Sequence, residues 1–196
     1  MNQTTTTLKS EYNLTPGDLL NSISSIGTLH GIHKVLKDKE IPFLKNGPKK
    51  LIPSQSARIF FEGRGFKYPK LNLTFHIIKG GVGKSSLASA VAVRANMYGC
   101  KILCVDFDQQ GNLTRSFGVD GRNKPVWLHL FRKEVSIYET IIPITPSLHL
   151  IPSSMNNSRL DFELSSRPTN LREIVLDALA EVRDYYDLII FDCLRR

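Results

Sequence analysis

The sequence predicts an α/β fold: a mostly parallel sheet flanked by helices and preceded by a small helical module. Three observations carry this. Apolar runs rich in β-branched residues, at residues 73–78, 101–105 and 187–192, read as buried strands. Runs with helical spacing follow Gly83 and span residues 171–182, so strands and helices alternate. Residues 15–72 carry short amphipathic stretches instead.

Composition sets the outer bounds. The 196 residues are 41% hydrophobic, enough for a real core and for one domain with an appendage. No apolar run reaches the roughly 18 residues of a membrane span. The start, MNQTTTTLKSEYN, lacks the layout of a signal peptide. Cys100, Cys104 and Cys193 form no C-x-x-C pair and are odd in number, so free thiols in a reducing cytosol are expected. The net charge of +8 is uneven: residues 1–72 hold 11 Lys+Arg against 5 Asp+Glu. Such a patch suits nucleic acid, an anionic membrane, or simply a solvated basic face.

In chain order, residues 1–14 read as a polar disordered tail. Thr15-Pro16 is an N-cap followed by proline at the first helical position, with Leu19, Leu20, Ile23 and Ile26 on one face. Ile32, Val35 and Leu36 mark a second helix. Residues 37–50 read as a basic loop. Pro53-Ser54 opens a third helix burying Ala57, Phe60 and Phe61, stopped by Gly63 and Gly65. Together, residues 15–72 are expected to form a basic, helix-turn-helix-like module, with Ser54, Gln55 and Arg58 early in its reading helix but with no base contacts assigned to them. A helical cap that only packs is the alternative.

The strand at residues 73–78 runs into Lys79, Gly80, Gly81, Val82, Gly83, Lys84, Ser85 and Ser86. The helix that follows has Leu87, Val91 and Ala95 on one face and ends at Gly99, a C′ glycine. Strand, glycine turn and helix form a phosphate loop. Without Cβ atoms the backbone approaches a polyphosphate closely, and the helix N-terminus adds partial positive charge. Lys84 is placed to reach the β/γ-phosphates of ATP, and the Ser85 hydroxyl to ligate Mg²⁺. Asp106 and Asp108 close the strand at 101–105, where α/β sheets bind ligands. Residues 115–133 read as a loop leading into a short apolar helix with Trp127, Leu128, Leu130 and Phe131, and a strand at 148–151 follows. Thr169 caps the helix at 171–182, and Asp192 closes the last strand. Each of these acids has a plainer role as a strand-end cap.

The motifs resemble those of the ParA/MinD family of ATPases, and of larger plasmid-type ParA partition proteins in particular. KGGVGKS lacks the first glycine of the general phosphate loop, Ile78 standing there, and resembles the family's deviant Walker A motif. DFDQQGN resembles D-x-D-P-Q-G-N with Gln109 in place of proline, and DLIIFD resembles Walker B. The resemblance covers residues 73–193 specifically and the N-terminal third loosely. It implies a P-loop NTPase domain over 73–196, in which Lys79 reaches a partner subunit's nucleotide and Asp108 positions the attacking water. Asp106 and Asp192 would support the Mg²⁺ shell. It further implies a homodimer, binding to operator and non-specific DNA, a ParB-type centromere-binding partner, and a cytoplasmic, nucleoid-associated protein with no membrane attachment.

After Asp192-Cys193 the family continues differently from Leu194-Arg195-Arg196, so a C-terminally incomplete domain with little or no turnover is expected. A DNA-binding autorepressor that responds to nucleotide without hydrolysis is the alternative. MinD needs a C-terminal amphipathic helix that this sequence lacks. A nitrogenase-iron-protein relative needs cluster cysteines, which the three here do not supply.

Overall fold

The computed structural model describes residues 13–22, 28–76, 81–165 and 171–193. They form two compact units, one of residues 1–68 and 93–100, the other of residues 69–92 and 101–196.

In the first unit, Thr15 caps α1 (Pro16–Asn21). Its hydroxyl accepts from the Asp18 amide at 3.3 Å, while Asp18 accepts from the Thr15 amide at 2.8 Å. This reciprocal box satisfies amides at the helix start. Thr28 caps α2 (Leu29–Asp38), accepting from the Gly31 amide at 3.1 Å. The stretch expected to be a basic loop contains an antiparallel hairpin instead, β1 (Leu44–Asn46) and β2 (Lys49–Leu51). Gly47, at φ +59°, supplies the left-handed turn position that the hairpin needs, and a bridge between Leu14 and Ile52 continues the pairing. Helix α3 (Ser54–Glu62) follows.

Leu14, Leu19, Ile32, Leu36, Ile41, Ile52, Ala57 and Phe60 make one core. Ile23 and Ile26 lie outside the described residues. Gly99, at φ +91°, is the expected glycine after the long helix α4 (Lys84–Met97).

The second unit holds a five-stranded sheet ordered β3-β7-β4-β6-β5. Its strands are β3 (Leu71–Phe75), β4 (Ile102–Asp106), β5 (Ile142–Thr145), β6 (Leu148–Ile151) and β7 (Leu188–Asp192). All neighbours are parallel except β5, which runs antiparallel to β6. The sequence reading missed β5, whose Pro143 restricts it to an edge. Short helices α5 (Asn112–Ser116), α6 (Trp127–Phe131), α7 (Ile137–Thr140) and α8 (Leu160–Ser165), then α9 (Leu171–Leu179), complete the unit. Its core gathers Leu103, Val105, Trp127, Leu160, Leu179 and Ile189. The Phe107 ring meets Trp127 edge-on at 4.7 Å.

Two expectations fail here. The strand before the glycine loop is not buried: Leu71 and Leu73 are 56% and 38% exposed, because β3 is the last strand on its side among the described residues. In α4 the buried stripe is Lys84, Ala88, Ala92 and Asn96, while Leu87 is 55% exposed. Lys84 turns inward, and the four-residue spacing carries that phase up the helix.

Candidate functional site

Register decides where the acids meet. Asp192 pairs with Phe75 on one side and with Asp106 on the other, so β3, β7 and β4 end level. Just beyond those ends α4 begins, with Gly81 at φ +79° and Gly83 at φ +83° turning the backbone into it. The Gly83 carbonyl already accepts from the Leu87 amide at 2.8 Å. Lys79 and Gly80 lie outside the described residues.

Lys84 is buried among carboxylates. Its ammonium donates to Asp192 Oδ1 and lies 4.0 Å from Asp108 Oδ2. Asp108 Oδ2 and Asp192 Oδ2 are buried and accept no hydrogen bond among the described residues. Two such orphaned oxygens beside one lysine form a donor set suited to a divalent cation. Among the described residues no group of three His, Cys, Asp or Glu could hold a metal by itself. A Mg²⁺ here would share its shell with Ser85, phosphate and water, as that ion usually does.

A cavity of about 410 Å³ opens beside these groups, lined by Gly81, Val82, Gly83, Lys84, Ser85, Ser86, Asp108, Asn112 and Ser116. The structure thus gathers at one place every described residue that the sequence assigned to phosphate, together with Asp108 and, through Lys84, Asp192.

Asp106 stands apart. Its Oδ1 accepts from the Asp108 amide at 3.1 Å, and its Oδ2 accepts from the amide and the hydroxyl of Thr114 at 2.8 and 2.7 Å. Burial lifts its carboxyl to about 7 against those hydrogen bonds, and the Asp192 charge adds to the rise. Sequence reasoning missed Thr114. Its hydroxyl also accepts from the Ser153 amide at 2.8 Å, which ties the loop after β4 to the loop after β6. A threonine two residues beyond Gly-Asn, at a helix start, was the available signal. Asp108 Oδ1 accepts from the Gln110 amide at 3.0 Å, which fixes the loop over the cavity.

The cysteines are free, and burial pushes the Cys104 thiol up, away from reactivity. No helix among the described residues is long and apolar enough to cross a membrane.

A parallel sheet whose strand ends deliver a glycine turn, a helix-start lysine and two acids to one cavity is the P-loop NTPase fold. The AAA domain model AAA_31 matches residues 72–194, and the chain belongs to that family. It is similar to the chromosome-partitioning ATPase Soj of Treponema pallidum, 37% identical over 62% of this chain and 47% of that protein. Among solved structures it is similar to cobyrinic acid a,c-diamide synthase from Mycobacterium smegmatis with bound ATP analog and magnesium. That likeness has TM-score 0.57 and 27% identity, over 63% of this chain and 49% of the other. A plasmid partition protein from Borrelia burgdorferi aligns with TM-score 0.52 and 26% identity, over 64% and 56% of the two chains. The chain spans less than half the length of the curated relatives it matches, the Treponema Soj protein among them.

Proposed function

We propose that the chain carries the nucleotide site of a ParA-type partition ATPase, which binds Mg·ATP and couples it to DNA segregation. The observation that carries this is Lys84, buried between Asp108 and Asp192, each of which keeps one buried oxygen without a hydrogen bond among the described residues. On ATP binding, Lys84 turns from the carboxylates to the β/γ-phosphates. The Ser85 hydroxyl and, through water, Asp192 would hold Mg²⁺, which would supply neutralising charge at the phosphates. Asp108, fixed by the Gln110 amide, orients the attacking water. Such positioning and neutralisation are most of what phosphoryl transfer asks of a protein. Asp106, with both oxygens engaged, acts by holding Asp108 and Thr114 in place rather than on the metal. Lys79 serves the partner subunit's nucleotide in a homodimer.

DNA, both operator and non-specific, and a ParB-type centromere-binding protein are the proposed partners, in the cytoplasm at the nucleoid. For DNA the structure favours a different face from the one the sequence suggested. Arg58 of α3 lies over the Tyr68 ring at 4.2 Å, pairs with Glu62 at 2.8 Å and donates to the Gly99 carbonyl at 3.0 Å, so it serves packing. Residues 28–52 instead hold six lysines against Asp38 and Glu40. His30, Lys34 and Lys37 are exposed along α2, and Lys45 and Lys49 on the hairpin. Lys50 Nζ lies 3.2 Å from His33 Nδ1 and so joins hairpin to helix. A helix flanked by a basic β-ribbon suits a DNA groove and its phosphates. The partition ATPases among the relatives favour this reading over that of an autorepressor without turnover.

Titration of a fluorescent ATP analogue into the chain, with Mg²⁺ and then with EDTA, tests the proposal. Saturable binding that requires Mg²⁺ is expected. Absence of saturable binding would overturn it.

A further inference from the structure

The hairpin after α2 carries an arrangement that is destabilising by itself. Its register sets Lys45 directly opposite Lys50, and Asn46 opposite Lys49. Residues paired in this way share one face of the ribbon, and like charges there repel. Lys50 Nζ lies 3.2 Å from His33 Nδ1 on α2 and 4.7 Å from the centre of the Phe43 ring. An ammonium has donors only, so Nδ1 accepts and the His33 ring is neutral, with its proton on Nε2. Partial burial, then the charges of Lys50 and His30, hold the ring below its ordinary pKa. His30 lies one turn before His33 and Lys37 one turn after, both exposed, with exposed Lys34 next to the ring. The acids of this unit are placed elsewhere. Residues 41–53 contain none, and Asp38 and Glu40 lie at and beyond the C-terminal end of α2. On α1, which packs against α2, Asp18 accepts from the Thr15 amide and hydroxyl at 2.8 and 2.7 Å and lies 3.7 Å from Arg94. On α3, Glu62 pairs with Arg58.

We propose that Lys45, Lys50 and His33 form a site for one backbone phosphate of duplex DNA, and that filling it takes up one proton at His33. The proposal rests on the reading of this face as the DNA surface and names the group in it that titrates. A phosphate between hairpin and helix relieves the repulsion between Lys45 and Lys50. Lys50 moves its donor from Nδ1 to a phosphate oxygen. The freed Nδ1 lone pair takes a proton from bulk water, and the imidazolium donates to the same phosphate. One N–H bond forms, the ring gains one positive charge, and no other bond is made or broken. Without an anion the same protonation would set a third cation beside the two lysines, so it waits for the phosphate. Affinity therefore rises as pH falls through the window between the ring's free value, below the usual 6.5 or so, and its higher value in the complex. Such a contact positions the duplex and reads no base.

The test is a titration of duplex DNA into the full chain at constant salt, by fluorescence anisotropy at about pH 6 and about pH 8. Calorimetry at about pH 7, in two buffers of different ionisation enthalpy, counts the protons. Affinity about tenfold tighter at the lower pH is expected, with roughly half a proton or more taken up per bound chain. His33→Gln should remove most of both effects, and His30→Gln the smaller part. DNA binding that is equal at the two pH values, or a proton count unchanged in His33→Gln, overturns the inference and leaves the DNA surface standing. Absence of DNA binding at both pH values overturns the surface and the inference together. Proton uptake as large on inorganic phosphate alone would make the site one for free phosphate, and overturns the inference as well.

Discussion

The Lys84 ammonium donates to Asp192 across 108 positions of sequence and lies 4.0 Å from Asp108, so one cation serves two buried acids. Removing one partner of a buried pair leaves an uncompensated charge and costs about 3–5 kcal/mol. Lys84→Ala should lose stability on that scale in urea unfolding. Adding Asp192→Asn should restore a good part of it, because the stranded charge is gone. Equal stability of Lys84→Ala and the wild type would show that the lysine does not compensate these acids.

Asp106 makes stability depend on pH. Its carboxyl sits at about 7 in the folded chain against a reference of 3.8. Between those values the folded state holds a proton that the unfolded state has released. The contribution is therefore fully present below about pH 4 and is lost as pH rises through about 7. Wild type should lose stability relative to Asp106→Asn across that window, as seen in thermal melts at its two ends. A constant gap between the two proteins would assign the carboxyl an ordinary pKa.

Gly99 occupies a position that side chains rarely adopt, at φ +91°. A Cβ there would stand 2.6 Å from the Tyr68 hydroxyl and 2.7 Å from the Arg58 backbone. Gly99→Ala should therefore destabilise the first unit by more than about 1 kcal/mol. Gly47→Ala, at φ +59° with nothing within 4 Å, carries the strain without the clash and should cost less. Reversal of that order in chemical denaturation would contradict the packing described around Tyr68.

The basic face of α2 and the hairpin predicts a salt-dependent affinity for duplex DNA. Each phosphate neutralised contributes about 0.9 to the slope of log K against log salt. Replacing Lys34, Lys37 and Lys45 together by glutamine should lower that slope by about two to three units in mobility-shift titrations. Gln55→Ala on α3 should leave it unchanged. The opposite pattern would return α3 to the role of reading helix.

Much of the nucleotide site was legible in the sequence because each part ends an apolar strand. Asp106 and Asp192 follow runs whose burial leaves little freedom of register, and the glycine turn before Lys84 follows an apolar run that forms the exposed strand β3. The phase of α4 was not legible: hydrophobicity favoured Leu87, whereas the helix is turned by Lys84 reaching for buried acids. The β1–β2 hairpin escaped because its three-residue strands are largely exposed and rich in lysine, so no alternation marks them. β5 escaped because proline argues against a strand, and an antiparallel edge is where a strand tolerates it. Thr114 carried only its place two residues beyond Gly-Asn at a helix start; its role appears once the start of α5 and the loop after β6 are brought together.

In the proposed division of labour the phosphate chemistry belongs to Lys84, while Lys79 serves a partner subunit. Parallel titrations of a fluorescent ATP analogue with Mg²⁺ into Lys84→Ala and Lys79→Ala, each checked for folding by circular dichroism, test it most directly. Lys84→Ala should lose most binding and Lys79→Ala should keep it. Equal losses in the two variants would contradict it.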